Sequence, residues 1–154
     1  MIQRIQTLYL IVADLLMALL FFVPFSEMVG KDGSLYSFGL SGLVSEGPAG
    51  GKIDEGAWFL FILACLILGT NSLIIFLFKN RVLQMRLSTI VVFLLLGLTL
   101  FSYISIYRSN DILGGGYSLK IYLAFPLIAA IFVYLAIRGM AKDERLVKSI
   151  DRIR

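Results

Sequence analysis

The chain has 154 residues, 59% of them hydrophobic and 16% charged, with a formal net charge of +4 and no histidine. That charged fraction is well below the ~25% of soluble domains. Together with a mean hydropathy of +0.91, it excludes a water-soluble globule and points to an integral membrane protein. With no histidine and with Cys65 the one cysteine, histidine-ligated haem or zinc, Cys-x-x-Cys redox chemistry and internal disulfides are excluded too. The excess of Lys and Arg flanks apolar runs, so it serves topology and headgroup contact rather than nucleic acid.

Four apolar runs predict an all-α integral membrane fold. The expected architecture is a four-helix transmembrane bundle, one domain over residues 1–154, with spans at about 8–25, 57–78, 87–107 and 119–137. Residues 1–7 are polar and carry Arg4. The first span, Leu8 to Phe25, reaches about 27 Å at helical rise. It is longer than a signal-peptide core and ends in bulky Phe21-Phe22-Val23-Pro24-Phe25, so a retained signal-anchor helix closing at Pro24 is expected.

Residues 26–56 form an outer loop rich in Gly and Ser. Within it Tyr36, Phe38 and Leu40 alternate with Ser37, Gly39 and Ser41, which predicts a short strand with one apolar face. That face either lies on the outer ends of the helices or docks a periplasmic partner. Gly47-Pro48-Ala49-Gly50-Gly51 then reads as a turn.

The second span opens with Trp58 and Phe59, aromatics suited to the interface, and holds Cys65 as a small buried hydrophobe. Lys79 to Arg86 is a short basic turn. The third span ends in Tyr103 and Tyr107, followed by Asp111 and a flexible Gly114-Gly115-Gly116 that lacks the lysine of a phosphate loop. In the fourth span Lys120 is expected to snorkel to the headgroups and Pro126 to kink or locally loosen the helix. Gly69, Gly97, Ala129 and Ala136 are candidates for close helix contact, although none forms a GxxxG pair.

The tail, 138–154, sets Leu146, Val147, Ile150 and Ile153 at helical spacing among Arg138, Lys142, Arg145, Lys148 and Arg152. It predicts a basic amphipathic helix that lies on the inner leaflet or continues the fourth span, in contact with anionic lipid or a cytoplasmic partner. Arg4, the three basic residues of the middle turn and the six of the tail face Lys31, Lys52, Arg108 and Lys120 across the membrane. Ten against four places both termini in the cytoplasm.

Asp14 is the one acid placed inside a span, and an aspartate at the middle of a span costs ~2.5–3.5 kcal/mol on insertion scales unless it is paired or protonated. Counted from the cytoplasmic ends, Asp14 and Asn71 lie at equal depth, ~9–11 Å in, so a hydrogen-bonded pair between the first two helices is expected. A structural carboxylate is favoured over a proton or ion site, because no second intramembrane acid or buried base accompanies it. Ser72, Ser88, Ser102 and Ser105 have no histidine to activate them, so no enzyme is expected. No cofactor or metal is expected either.

The opening MIQRIQTLYL (Met1–Leu10), YSFGL (Tyr36–Leu40) and the ending RGMAKDERLVKSIDRIR (Arg138–Arg154) resemble a family of small four-span inner-membrane proteins from Bacteroidetes. It is the domain-of-unknown-function family 4293. The resemblance covers essentially the whole chain and implies a bacterial inner-membrane protein with no assigned activity and no catalytic residue to transfer. The leading expectation is a non-enzymatic accessory or scaffold subunit, partnered by lipid and by membrane proteins or further copies of itself. A proton-coupled transporter or channel using Asp14, and a membrane-surface regulator acting through the basic tail, are the alternatives.

Overall fold

A computed structural model describes residues 3–31, 33–46, 58–77 and 80–151, with the side chains of 3, 4 and 146–151 outside that description. The expected turn at Gly47–Gly51, and Lys52, Lys79, Arg152 and Ile153, fall outside the described residues, as do the side chains of Arg4 and Lys148. The described chain comprises four helices, α1 (Gln3–Leu19), α2 (Trp58–Phe76), α3 (Arg81–Leu113) and α4 (Phe125–Asp151). Four short strands join them, β1 (Ser26–Val29), β2 (Leu35–Gly39), β3 (Gly42–Ser45) and β4 (Gly116–Leu119). The fold is thus mostly helical with a small antiparallel sheet, not all-α.

Three helical stretches, Trp58–Phe76, Arg81–Leu113 and Ile121–Arg145, are long and apolar enough to cross a membrane. α1 is shorter, with an apolar stretch of Ile5–Leu19. Its helix ends before the expected Pro24 because the chain tightens into three-residue turns, with the N–H groups of Leu20, Phe21 and Phe22 donating to the carbonyls of Met17, Ala18 and Leu19. The helices pack in a ring, α1 against α2 and α4, and α3 against α2 and α4. Leu10, Met17, Leu60, Ile67, Leu95 and Val133 fill the centre. Outward, Phe61, Leu73, Phe93, Leu100 and Ile131 are exposed. Large apolar groups on both the inside and the outside of the ring identify lipid as the surrounding solvent; this is a membrane protein.

Cys65 lies on such an outward face, exposed rather than buried as expected. In lipid both faces of a helix are apolar, so hydropathy does not separate core from surface. The same ambiguity misplaces two small residues. A Cβ at Gly69 or Gly97 would meet nothing within 4 Å, whereas Ala129 and Ala136 are fully buried at helix contacts. Pro126 stands in the first turn of α4, where its missing N–H breaks no helical bond. Ahead of it, Ile121–Ala124 forms a single 3₁₀ turn.

The strands form one sheet in the order β3-β2-β1-β4, all neighbours antiparallel. Its two halves come from different loops, the first between α1 and α2 and the second between α3 and α4. The Gly-rich segment expected to be a flexible turn therefore leads into a strand that pairs Gly116 with Val29 and Leu119 with Ser26. Two glycines make this possible. Gly114 closes α3 in the left-handed region, φ 62°, its N–H donating to the Asn110 carbonyl at 2.8 Å. Gly115 passes so close to β1 that a Cβ there would overlap the Val29 carbonyl oxygen.

Of the predicted apolar face, Phe38 on β2 and Leu40 in the β2–β3 turn are buried, and Tyr36 is half-buried. With Met28 and Leu43 they turn inward onto the ends of the helices, so this face is not available for docking. Gly115→Ala is expected to lower the thermal midpoint in detergent, by about 1–3 kcal/mol of stability. Gly69→Ala should leave it unchanged or raise it slightly; parallel thermal scans of the two variants check the contrast.

Candidate functional site

The candidate site is a polar layer between α1 and α2. Asp14 and Asn71, at equal depth in the expected spans, are brought together here by the antiparallel packing of α1 (Gln3–Leu19) on α2 (Trp58–Phe76). The Asn71 Nδ2 donates to Asp14 Oδ1 at 2.9 Å and to the Leu10 carbonyl at 3.0 Å. Ser72 Oγ donates to the other carboxylate oxygen, Asp14 Oδ2, at 3.0 Å. Both oxygens of the acid are thus held by donors from α2. Leu10 lies one helical turn before Asp14 on α1, so a single amide spans two acceptors on one face. Ser72 was not foreseen as a partner; its only signal is its place next to Asn71.

The same layer leaves acceptors and hydroxyls open. Asn71 is 2% exposed and Ser88 fully buried, yet Asn71 Oδ1 and Ser88 Oγ have no hydrogen-bond partner. Ser88 lies seven residues into α3 and Asn71 five before the end of α2, ~3 Å apart in depth. Ser102 Oγ and Ser26 Oγ, further along towards the sheet, are likewise buried and unpartnered. Near the turn itself, the Gln84 amide donates to the Ile74 carbonyl at 3.1 Å, satisfying one of the carbonyls that the end of α2 leaves free.

A second polar contact, unforeseen in the sequence, fastens α1 to α4. Gln6 Nε2 donates to Asp143 Oδ2 at 2.6 Å, and both residues are buried. Gly139, one turn before Asp143, makes the room: a Cβ there would press on Gln6 Cγ at 2.9 Å. The tail therefore continues α4 without a break as far as Asp151. Arg138, Lys142 and Arg145, spaced i, i+4, i+7, form an exposed stripe on the side away from Asp143.

At the opposite end Lys120 does not snorkel freely but pairs with Glu27 of β1. The hydrogen bond from Lys120 to the Glu27 carboxylate holds the ammonium above its usual pKa. The stability that the Lys120 charge adds is therefore present at neutral pH and is lost as pH rises through that elevated value. Among the described residues no group of three or more Cys, Asp or Glu side chains could hold a metal ion.

A family model described as Domain of unknown function (DUF4293) matches residues 2–153. The chain belongs to this family. No curated protein and no solved structure matches it. In this DUF4293 chain α1 makes side-chain hydrogen bonds to both neighbouring helices, α2 through Asp14 and Leu10 and α4 through Gln6.

Replacing Asn71 by Leu removes three things together: the amide donor to Asp14, the donor to Leu10 and the open Oδ1. A double-mutant cycle with Asp14→Leu and Asn71→Leu should return a coupling of about 0.6–1.7 kcal/mol, the range of interhelical hydrogen bonds in membranes. Unfolding in mixed micelles measures it.

Proposed function

We propose that this protein is a non-enzymatic accessory or scaffold subunit of a larger membrane assembly. The observation that carries the reading is the sheet, whose edge strand β4 is exposed at all four residues. An open edge of this kind accepts a strand from another chain through backbone hydrogen bonds. The occupied carboxylate of Asp14 supports the same reading, since both its oxygens serve to join helices.

In the arrangement we favour, all four helices cross a bacterial inner membrane, with both termini cytoplasmic and the sheet on the periplasmic side. Supporting this are the basic residues concentrated at one end of the helices and the length of α1, about 25 Å for 17 residues before its closing turns. Arg138, Lys142 and Arg145 then meet anionic headgroups of the inner leaflet. A pull-down from native membranes in mild detergent should recover a reproducible partner. A photo-crosslinking residue at position 118 on β4 should capture that same partner, and a lone monomer in both experiments would refute the reading.

A second reading, proton or ion movement through Asp14, is favoured by the buried, unpartnered Asn71 Oδ1 and Ser88 Oγ. Under it, liposomes carrying the protein and a pH-sensitive dye show a flux that Asp14→Asn abolishes. Equal dye signals from protein-containing and empty liposomes would end it.

A further inference from the structure

Between α3 and the start of α4 runs an open groove of about 530 Å³, within the ~300–1,000 Å³ typical of small-molecule sites. Leu96 and Leu100 of α3 face Leu119, Leu123 and Leu127 across it. The polar groups on its walls gather at one end. Tyr103 and Lys120 both line the sheet end, while the one hydroxyl lower down, Thr99 Oγ, is already engaged with the Leu95 carbonyl at 2.9 Å. From Leu96 to Tyr103 the groove follows α3 for ~10 Å, against ~15 Å for one leaflet's hydrocarbon. The shape is that of an acyl chain with its head towards the sheet.

What stands at the head end is a pair of opposite charges. Lys120 lines the groove and is ion-paired with Glu27, and their side chains remain 31% and 51% exposed. An ammonium has three donors and a carboxylate about four acceptor sites, so each retains capacity beyond its partner. An anionic headgroup would gain from Lys120 but be repelled by Glu27. A headgroup carrying both a phosphate and a primary ammonium finds an opposite charge for each.

We propose that this groove binds one acyl chain of a zwitterionic glycerophospholipid of the phosphatidylethanolamine type, its phosphate on Lys120 and its ammonium on Glu27. The inference rests on α3 and α4 lying in the bilayer, but not on the identity of any protein partner. Loss of lipid preference with partner recovery intact would separate it from the scaffold reading.

Native mass spectrometry of the full chain in mild detergent, titrated with palmitoyl-oleoyl phosphatidylethanolamine or phosphatidylglycerol, tests it. The first lipid adduct should form roughly fivefold more tightly with phosphatidylethanolamine, the equivalent of about 1 kcal/mol. Glu27→Gln should bring the two lipids to near-equal affinity. Leu100→Trp fills the groove from a residue 62% exposed, and it should weaken phosphatidylethanolamine binding at least several-fold with the thermal midpoint unchanged. Leu127→Trp provides the same block from α4. Equal affinity for the two lipids in the unaltered protein, a ratio untouched by Glu27→Gln, or full binding by both tryptophan variants would overturn the assignment.

Discussion

The structure depends on α1 being tied to both neighbours through side-chain hydrogen bonds. Asp14 takes its donors from α2 and Gln6 gives its amide to α4. Eight residues apart, the two positions differ by about 80° around the helix and about 12 Å along it. They therefore address different neighbours at different depths, and between them fix both the rotation and the height of the shortest helix. Dispersion between apolar side chains specifies neither quantity strongly, because in lipid an aliphatic face gains little by choosing protein over acyl chains. Ring contacts add shape at intermediate levels: Tyr9 lies 6.1 Å from Phe132, and Phe59 lies 5.0 Å from Phe101.

With α1 fixed, its exit determines the sheet. Phe25 is the hinge of that exit: its N–H donates to the Phe38 carbonyl at 2.6 Å and its carbonyl accepts from the Lys120 N–H at 2.9 Å. One residue thus joins the segment after α1 to both of its sheet neighbours. β1 lies between β2 and β4, so the loop from α3 to α4 closes over the end of the bundle instead of projecting from it. The 33 residues of α3 carry the chain far enough to reach that strand, and the Lys31 side chain lies against Gly114 at its end, where a cation meets the negative pole of the helix. Lys120 and Glu27 add an ion pair on the outward side.

The polar groups inside this protein thus serve mainly to position helices, and its surfaces are where recognition is offered. A sheet with an open edge, a basic stripe at the other end of α4 and an apolar groove headed by paired charges are three distinct surfaces on one small frame. Under the proposals above, each takes a different neighbour: a polypeptide, an anionic leaflet and a single lipid. Among the described residues the buried, unpaired oxygens of Ser26, Asn71, Ser88, Ser102 and Asn110 are the exceptions, with bonding capacity to spare for water or a proton.

Much of this was legible in the residues alone. Apolar runs longer than a bilayer core, broken by basic turns, identify membrane helices whatever their packing, because the transfer of such runs from water dominates every other term. The meeting of Asp14 and Asn71 follows from equal depth in adjacent antiparallel helices, and the period of two at Tyr36 and Phe38 follows from alternation in a strand. Three-dimensional contact decided the rest. Nothing local distinguishes Cys65 on a lipid face from Ala64 in the core, since both solvents are greasy. Gln6 and Asp143 stand 137 positions apart, each in a polar terminal stretch that reads as solvated. β4 is four residues that begin at the last of three glycines, too short to announce itself, and it is a strand because β1 offers it an edge. Residue type and period determined which segments are apolar enough to cross a membrane and where one acid would find its amide; long-range pairing alone determined which faces turn inward and how two distant loops become one sheet.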